Sequence, residues 1–99
     1  MTKYPGYEHV RQILREHYAG GKVLDIGAGP ATYRDLFEDY VGIDLPTTGY
    51  EGTLEAYCDA RSLCFRPGTF DLAFTQASLY LIGNPEYVCQ EVWMALKEN

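Results

Sequence analysis

The chain has 99 residues, which sets a ceiling of one domain, and a domain of that size buries only about 60–65% of its unfolded surface, so its stability is marginal. Hydrophobic residues make up 46% of it and there are nine tyrosines, a composition that belongs to a globular α/β protein and not to a disordered one. The net charge of −6, with eight scattered basic residues and no basic run, argues against a nucleic-acid surface.

The first residues, Met1-Thr2-Lys3-Tyr4-Pro5-Gly6, lack the apolar core of a signal peptide. No apolar run approaches the ~18 residues of a membrane span, so a cytoplasmic protein without a membrane partner is expected. Tyr7 to Tyr18 has helical spacing: Tyr7, Val10, Ile13, Leu14 and Tyr18 form an apolar stripe, and Glu8, Arg11, Gln12 and Arg15 the other face. Gly20-Gly21 ends it. His9 and His17 are eight residues apart, too far for an i, i+4 metal pair, and are expected to be solvated or packing side chains. No metal site is predicted.

Lys22 to Arg34 reads as strand, turn and helix. Val23, Leu24 and Ile26 suit a buried parallel strand. Gly27 and Gly29 allow a sharp turn and a close approach of ligand to backbone. Pro30 suits a first helical position, which would aim free N–H groups and the positive end of a helix dipole at a ligand over the glycines. Asp25, two residues before the turn, either bonds turn amides or faces a cationic or polyhydroxyl ligand. A helix is predicted from Ala31 to about Asp39, with Tyr33, Leu36, Phe37 and Tyr40 at i, i+3, i+4 and i+7. Tyr40-Val41-Gly42-Ile43-Asp44-Leu45 reads as a second strand, broken by Pro46. The order predicts a parallel βαβ unit with a right-handed crossover, and ligands bind at the carboxyl ends of such strands. Asp44 then shares a rim with Gly27 and Gly29, where its carboxylate can accept two hydrogen bonds from a ribose diol.

Val23-Leu24-Asp25-Ile26-Gly27-Ala28-Gly29-Pro30-Ala31 resembles motif I of the class I S-adenosylmethionine-dependent methyltransferases, which commonly show Asp-x-Gly-x-Gly at this turn. The dinucleotide fingerprint fits less well: its third glycine falls at Thr32, and it does not ask for an acid at Asp25. Ala31 stands where the family more often has glycine. Thr47 to Gly52 is a loop, and Thr53 to Cys58 a short third strand. Cys58-Asp59-Ala60-Arg61-Ser62-Leu63-Cys64-Phe65 resembles the family's Gly-Asp-Ala-x-x-Leu-Pro-Phe segment, which implies that Asp59 bonds the adenine amine and that Ala60 lines the ring. Arg66 to Thr69 is a turn. Phe70 to Thr75 is the fourth strand, and Gln76 to Leu81 matches a segment that the family places over the methyl donor. Asn84-Pro85 caps the last helix, whose apolar face is Val88, Cys89, Val92 and Leu96. Glu91 to Lys97 is similar to the family's Glu-x-x-Arg-x-Leu-Lys.

The resemblance implies an α/β Rossmann-like methyltransferase fold, with about four parallel strands in the order 3-2-1-4 between flanking helices. It implies S-adenosylmethionine as cofactor, held by Asp25, Gly27, Ala28, Gly29, Asp44, Leu45, Asp59, Ala60 and Thr75. It identifies no catalytic residue. Tyr80 stands where the family sometimes has a basic His, and tyrosine is a poor base at neutral pH. The Asn/Asp-Pro-Pro-Tyr signature of amine and amide methylation is missing after the fourth strand, so a small-molecule acceptor is expected. The match spans only the first half of the family's fold, so residues 1–99 are expected to be a single partial domain, truncated before strands five to seven. Its apolar fourth strand would be an edge open to self-association. A non-catalytic module that binds the cofactor or S-adenosylhomocysteine is the alternative, and a nicotinamide dehydrogenase half-domain a more distant one. Cys58, Cys64 and Cys89 are odd in number and lack a C-x-x-C, so buried free thiols are expected.

Overall fold

A computed structural model describes residues 5–45, 54–75 and 85–98. The loop over 47–52, the Gln76–Leu81 segment with Tyr80, and the Asn84 cap lie outside the described residues. In chain order the elements are α1 (Pro5–His17), β1 (Lys22–Ile26), a short 3₁₀ turn (Arg34–Leu36), β2 (Asp39–Asp44), β3 (Ala56–Tyr57), β4 (Leu72–Thr75) and α2 (Pro85–Ala95). The four strands form one parallel sheet in the order β3-β2-β1-β4, as the family resemblance implies. Val23 lies beside Tyr40 and Leu72, and Asp25 beside Gly42 and Phe74.

Side chains alternate across a strand, so β1 feeds two cores. Leu24 and Ile26 join Val41, Ile43, Cys58, Ala60, Phe70, Val88 and Ala95 under α2. Val23 joins Leu14 of α1 with Tyr33, Phe37 and Tyr40 on the opposite face. That second core is aromatic: Phe37 stands edge-on to Tyr18 at 4.9 Å and lies parallel to Tyr40 at 6.2 Å. Strands covered on both faces need continuous apolar runs, and Val23-Leu24 and Val41-Gly42-Ile43 supply them. Asp71 closes the lower end of the sheet, accepting from the Lys22 amide at 2.8 Å and pairing with Lys97 at 3.2 Å.

Three expectations are corrected. The helix over Ala31–Asp39 is a series of tight turns ending in the 3₁₀ turn: the Ala31, Arg34, Leu36 and Phe37 amides each bond a carbonyl three residues back. Ala31 has φ +58°, a left-handed conformation that cannot begin a right-handed helix, so Pro30 is not the first residue of one. Positive φ at Gly27, Gly29 and Ala31 keeps the chain turning as far as residue 31, and the bonds that follow close three residues back, the tighter 3₁₀ spacing in place of the α-helical one. Burial of Tyr33, Phe37 and Tyr40 nonetheless follows the predicted stripe. Ile13, placed on the apolar face of α1, is 41% exposed. Of the three thiols only Cys58 is buried; Cys64 and Cys89 are exposed.

Beside β4, the strand pairs with β1 alone among the described residues. A cleft of about 370 Å³ opens there between Ile26, Ala73 and Thr75 of the sheet and Val88, Val92 and Trp93 of α2. Trp93 is 77% exposed. No helix among the described residues is long and apolar enough to cross a membrane.

Candidate functional site

All four strands run the same way, so their carboxyl ends share one rim. Gly27, Ala28 and Gly29 follow β1; Asp44 and Leu45 end β2; Asp59 and Ala60 follow β3; Thr75 ends β4. The glycine turn is bound directly to the end of β2. Ala28 N donates to Ile43 O at 2.9 Å, and Gly29 N donates to Asp44 Oδ2 at 3.0 Å. Gly27 has φ +69° and Gly29 φ +53°, conformations that favour glycine. Asp44 also accepts from Leu45 N through Oδ1 at 2.8 Å, and its carbonyl accepts from Cys58 N at 3.0 Å. A carboxylate oxygen has two acceptor sites, so among the described residues each oxygen retains one for a ligand hydroxyl. Four of the predicted residues, Gly29, Asp44, Leu45 and Ala28, thus form one hydrogen-bonded unit with the start of the β3 turn.

Asp25 is sealed beneath this turn, only 3% exposed. Its Oδ2 accepts from the Tyr40 hydroxyl at 2.5 Å. Burial pushes its carboxyl up to about 6; the Tyr40 bond and Arg34 oppose the rise, and Asp44 and Glu55 add to it. The Tyr40 hydroxyl is raised in turn, by burial and then by Asp25. Glu55 is held below the usual carboxylate range: burial works against its ionisation, but Arg34 and the Gly42 amide outweigh it.

The remaining predicted residues do not join this unit. Asp59 is turned onto its own loop, accepting from the Arg61 amide at 2.9 Å and from the Arg61 guanidinium at 2.8 and 3.1 Å. That pairing pulls its carboxyl down to about 2. Ala60 is 6% exposed within the core under α2. Thr75 lies beside Ile26 in the cleft against α2, and its buried hydroxyl has no partner among the described residues.

The sequence reading missed Tyr40, Arg34 and Glu55 as members of the site. The signal was present in Gly42. Tyr40 lies two residues before it on the same face, and a side chain at Gly42 would fill the space where the tyrosine leans across to Asp25. A Cβ there would meet the Tyr40 hydroxyl at 2.9 Å and the Ala28 Cβ at 3.1 Å.

A parallel sheet in the order 3-2-1-4 with helices on both faces, and a glycine turn joined to an acid at the end of the second strand, is a specific combination. This is the Rossmann-like methyltransferase fold. A SAM-dependent methyltransferase from Thermotoga maritima superposes with a TM-score of 0.79 at 18% identity, covering 93% of this chain and 47% of its own. The YcgJ protein of Bacillus subtilis superposes with a TM-score of 0.78 at 21% identity, covering 92% of this chain and 47% of its own. The [4+2]-cyclase SpnF gives 0.78 at 20% identity, covering 98% and 43%. The chain therefore spans about half the length of these structures. No family model and no curated protein matches it. The cyclase among the neighbours shows that the fold alone does not decide the reaction.

Proposed function

We propose that this chain binds S-adenosylmethionine at the carboxyl rim and forms the cofactor-binding half of a cytoplasmic methyltransferase acting on a small molecule. The observation that carries this reading is the Gly29 N to Asp44 Oδ2 bond, which fixes the glycine turn against a carboxylate at the carboxyl rim. The residues suit the cofactor's chemistry. Asp44 has acceptors left for a ribose diol, the glycine turn admits a ligand close to the backbone, and Asp25 is an acid set beneath the turn for a cationic group. Asp59 reaches an adenine amine only after leaving Arg61. When bound, the cofactor supplies a methyl group on a cationic sulfur, open to in-line attack. The protein's share of such a reaction is positioning and exclusion of water.

Calorimetric titration with S-adenosylhomocysteine, using NADH as control, tests the site. Micromolar binding of the former alone is expected. Asp44→Ala should weaken it by about tenfold or more, the loss of a hydrogen bond to a charged group. Unchanged affinity would show that Asp44 does not hold the ligand, and preference for NADH would favour a dinucleotide site. The span of about half the neighbours' length supports a second reading, a module that binds without turnover. Methyl transfer by the chain to any acceptor would exclude it.

A further inference from the structure

We propose that Tyr40 is a positioning residue of this site: its hydroxyl fixes the Asp25 carboxylate beneath the glycine turn and ties the site's hold on a cationic ligand to the charge on Asp25. The inference rests on the reading of the rim as a cofactor site.

Four groups hold Tyr40 where it is. Val23 pairs with Tyr40 and Asp25 with Gly42, so all four residues occupy neighbouring positions on one face of the sheet. With no side chain at Gly42, the tyrosine can lean along its own strand and reach across to β1. Phe37 lies parallel to its ring, 13° from coplanar. The Arg34 guanidinium sits 4.6 Å from the ring centroid. Arg34 is itself paired with Glu55, whose Oε2 accepts from the Gly42 amide at 2.7 Å. The chain of contacts closes on itself, from Gly42 through Glu55, Arg34 and Tyr40 to Asp25. Rotating the tyrosine away would disturb an ion pair, a cation–π contact and an aromatic stack together.

The consequence is chemical. A carboxylate with 3% exposure is costly to ionise, and the Tyr40 hydroxyl is the donor the structure offers its Oδ2. The charged groups that act on it are Asp44 and Glu55, which disfavour its anion, and Arg34, which favours it. Asp25 is therefore poised to change charge near pH 6, and only its anion attracts a cation. The hydroxyl favours that anion.

The test is a ¹³C NMR titration of the Asp25 carboxyl with calorimetry of S-adenosylmethionine, whose sulfonium and ammonium are both cationic, between about pH 5 and pH 8, for the wild type and Tyr40→Phe. In the wild type, affinity should fall below the Asp25 midpoint, approaching tenfold per pH unit. Tyr40→Phe keeps the ring and removes the donor, so both the midpoint and the affinity profile should move up by about one pH unit. Gly42→Ala, which crowds the hydroxyl, should move them the same way and replaces Tyr40→Phe if that variant does not fold. An Asp25 midpoint unmoved in the folded variant overturns the proposal. A moved midpoint with an unmoved affinity profile also overturns it, because the ligand then does not sense Asp25. If the wild type binds neither S-adenosylmethionine nor S-adenosylhomocysteine at any pH, the cofactor reading fails and the ligand claim fails with it; the NMR titration still reports the Tyr40 contact separately.

Discussion

The two faces of the sheet differ in kind. Under α2, Leu24, Ile26, Val41 and Ile43 pack against Phe70, Val88 and Ala95, and among the described residues no buried charge joins them. On the other face, Val23 shares its row with Asp25, and the cover is made of tyrosines, Phe37 and the Arg34–Glu55 pair. The first face is built for burial and supplies cohesion. The second gives up some cohesion to keep an acid in the sheet next to the glycine turn. An acid there raises the free energy of the fold, and a site is the usual reason such a group is found.

That contrast can be broken in opposite directions. Ile43→Ala empties a fully buried position on the apolar face and should lower unfolding stability by about 2–5 kcal/mol, read as a drop in the urea midpoint. A loss well under that range would mean that this face is looser than its burial indicates.

Asp25→Asn should do the reverse. Burial raises the folded pKa of Asp25 from 3.8 to about 6, so the folded state binds more protons than the unfolded state in between. Stability therefore falls as pH rises through that window, by up to about 3 kcal/mol. Asparagine is neutral throughout and can still accept from Tyr40. The variant should exceed the wild type in stability above pH 6 by up to that amount, with the difference shrinking toward pH 4. Equal stability at neutral pH would show that Asp25 carries no burial penalty.

The smallest effect belongs to the turn that joins the two faces. Ala31 holds φ +58°, and Ala31→Gly should raise stability by about 0.5–1 kcal/mol as the strain is relieved. A destabilised variant would mean that the Ala31 methyl group, packed against the aromatic core, outweighs its backbone strain.

Much of this architecture was legible because it depends on local pattern. Val23-Leu24 and Ile43 announced buried strands, and the spacing between them required a parallel pair, so the rim positions of Gly29 and Asp44 followed. The burial of Tyr33, Phe37 and Tyr40 was legible too, since a stripe of that spacing must face a core in either helical form. The type of turn was not legible, because a stripe at i, i+3, i+4 and i+7 does not separate an α-helix from successive three-residue turns, and residue type does not announce the left-handed backbone at Ala31. Nor was the pairing of Asp59 with Arg61, where two neighbouring charges satisfied each other before any ligand could.

The sequence by itself determined the strands and the acids and glycines at their ends, because apolar patterning and turn chemistry act over a few residues at a time; the strand order followed from the resemblance to the methyltransferase family. Only the tertiary structure decided what those acids meet. Tyr40 and Asp25 are fifteen residues apart in the chain and reach each other through the register of two strands and the bare backbone of Gly42. Register and missing volume are properties of packed neighbours, and no single segment contains them.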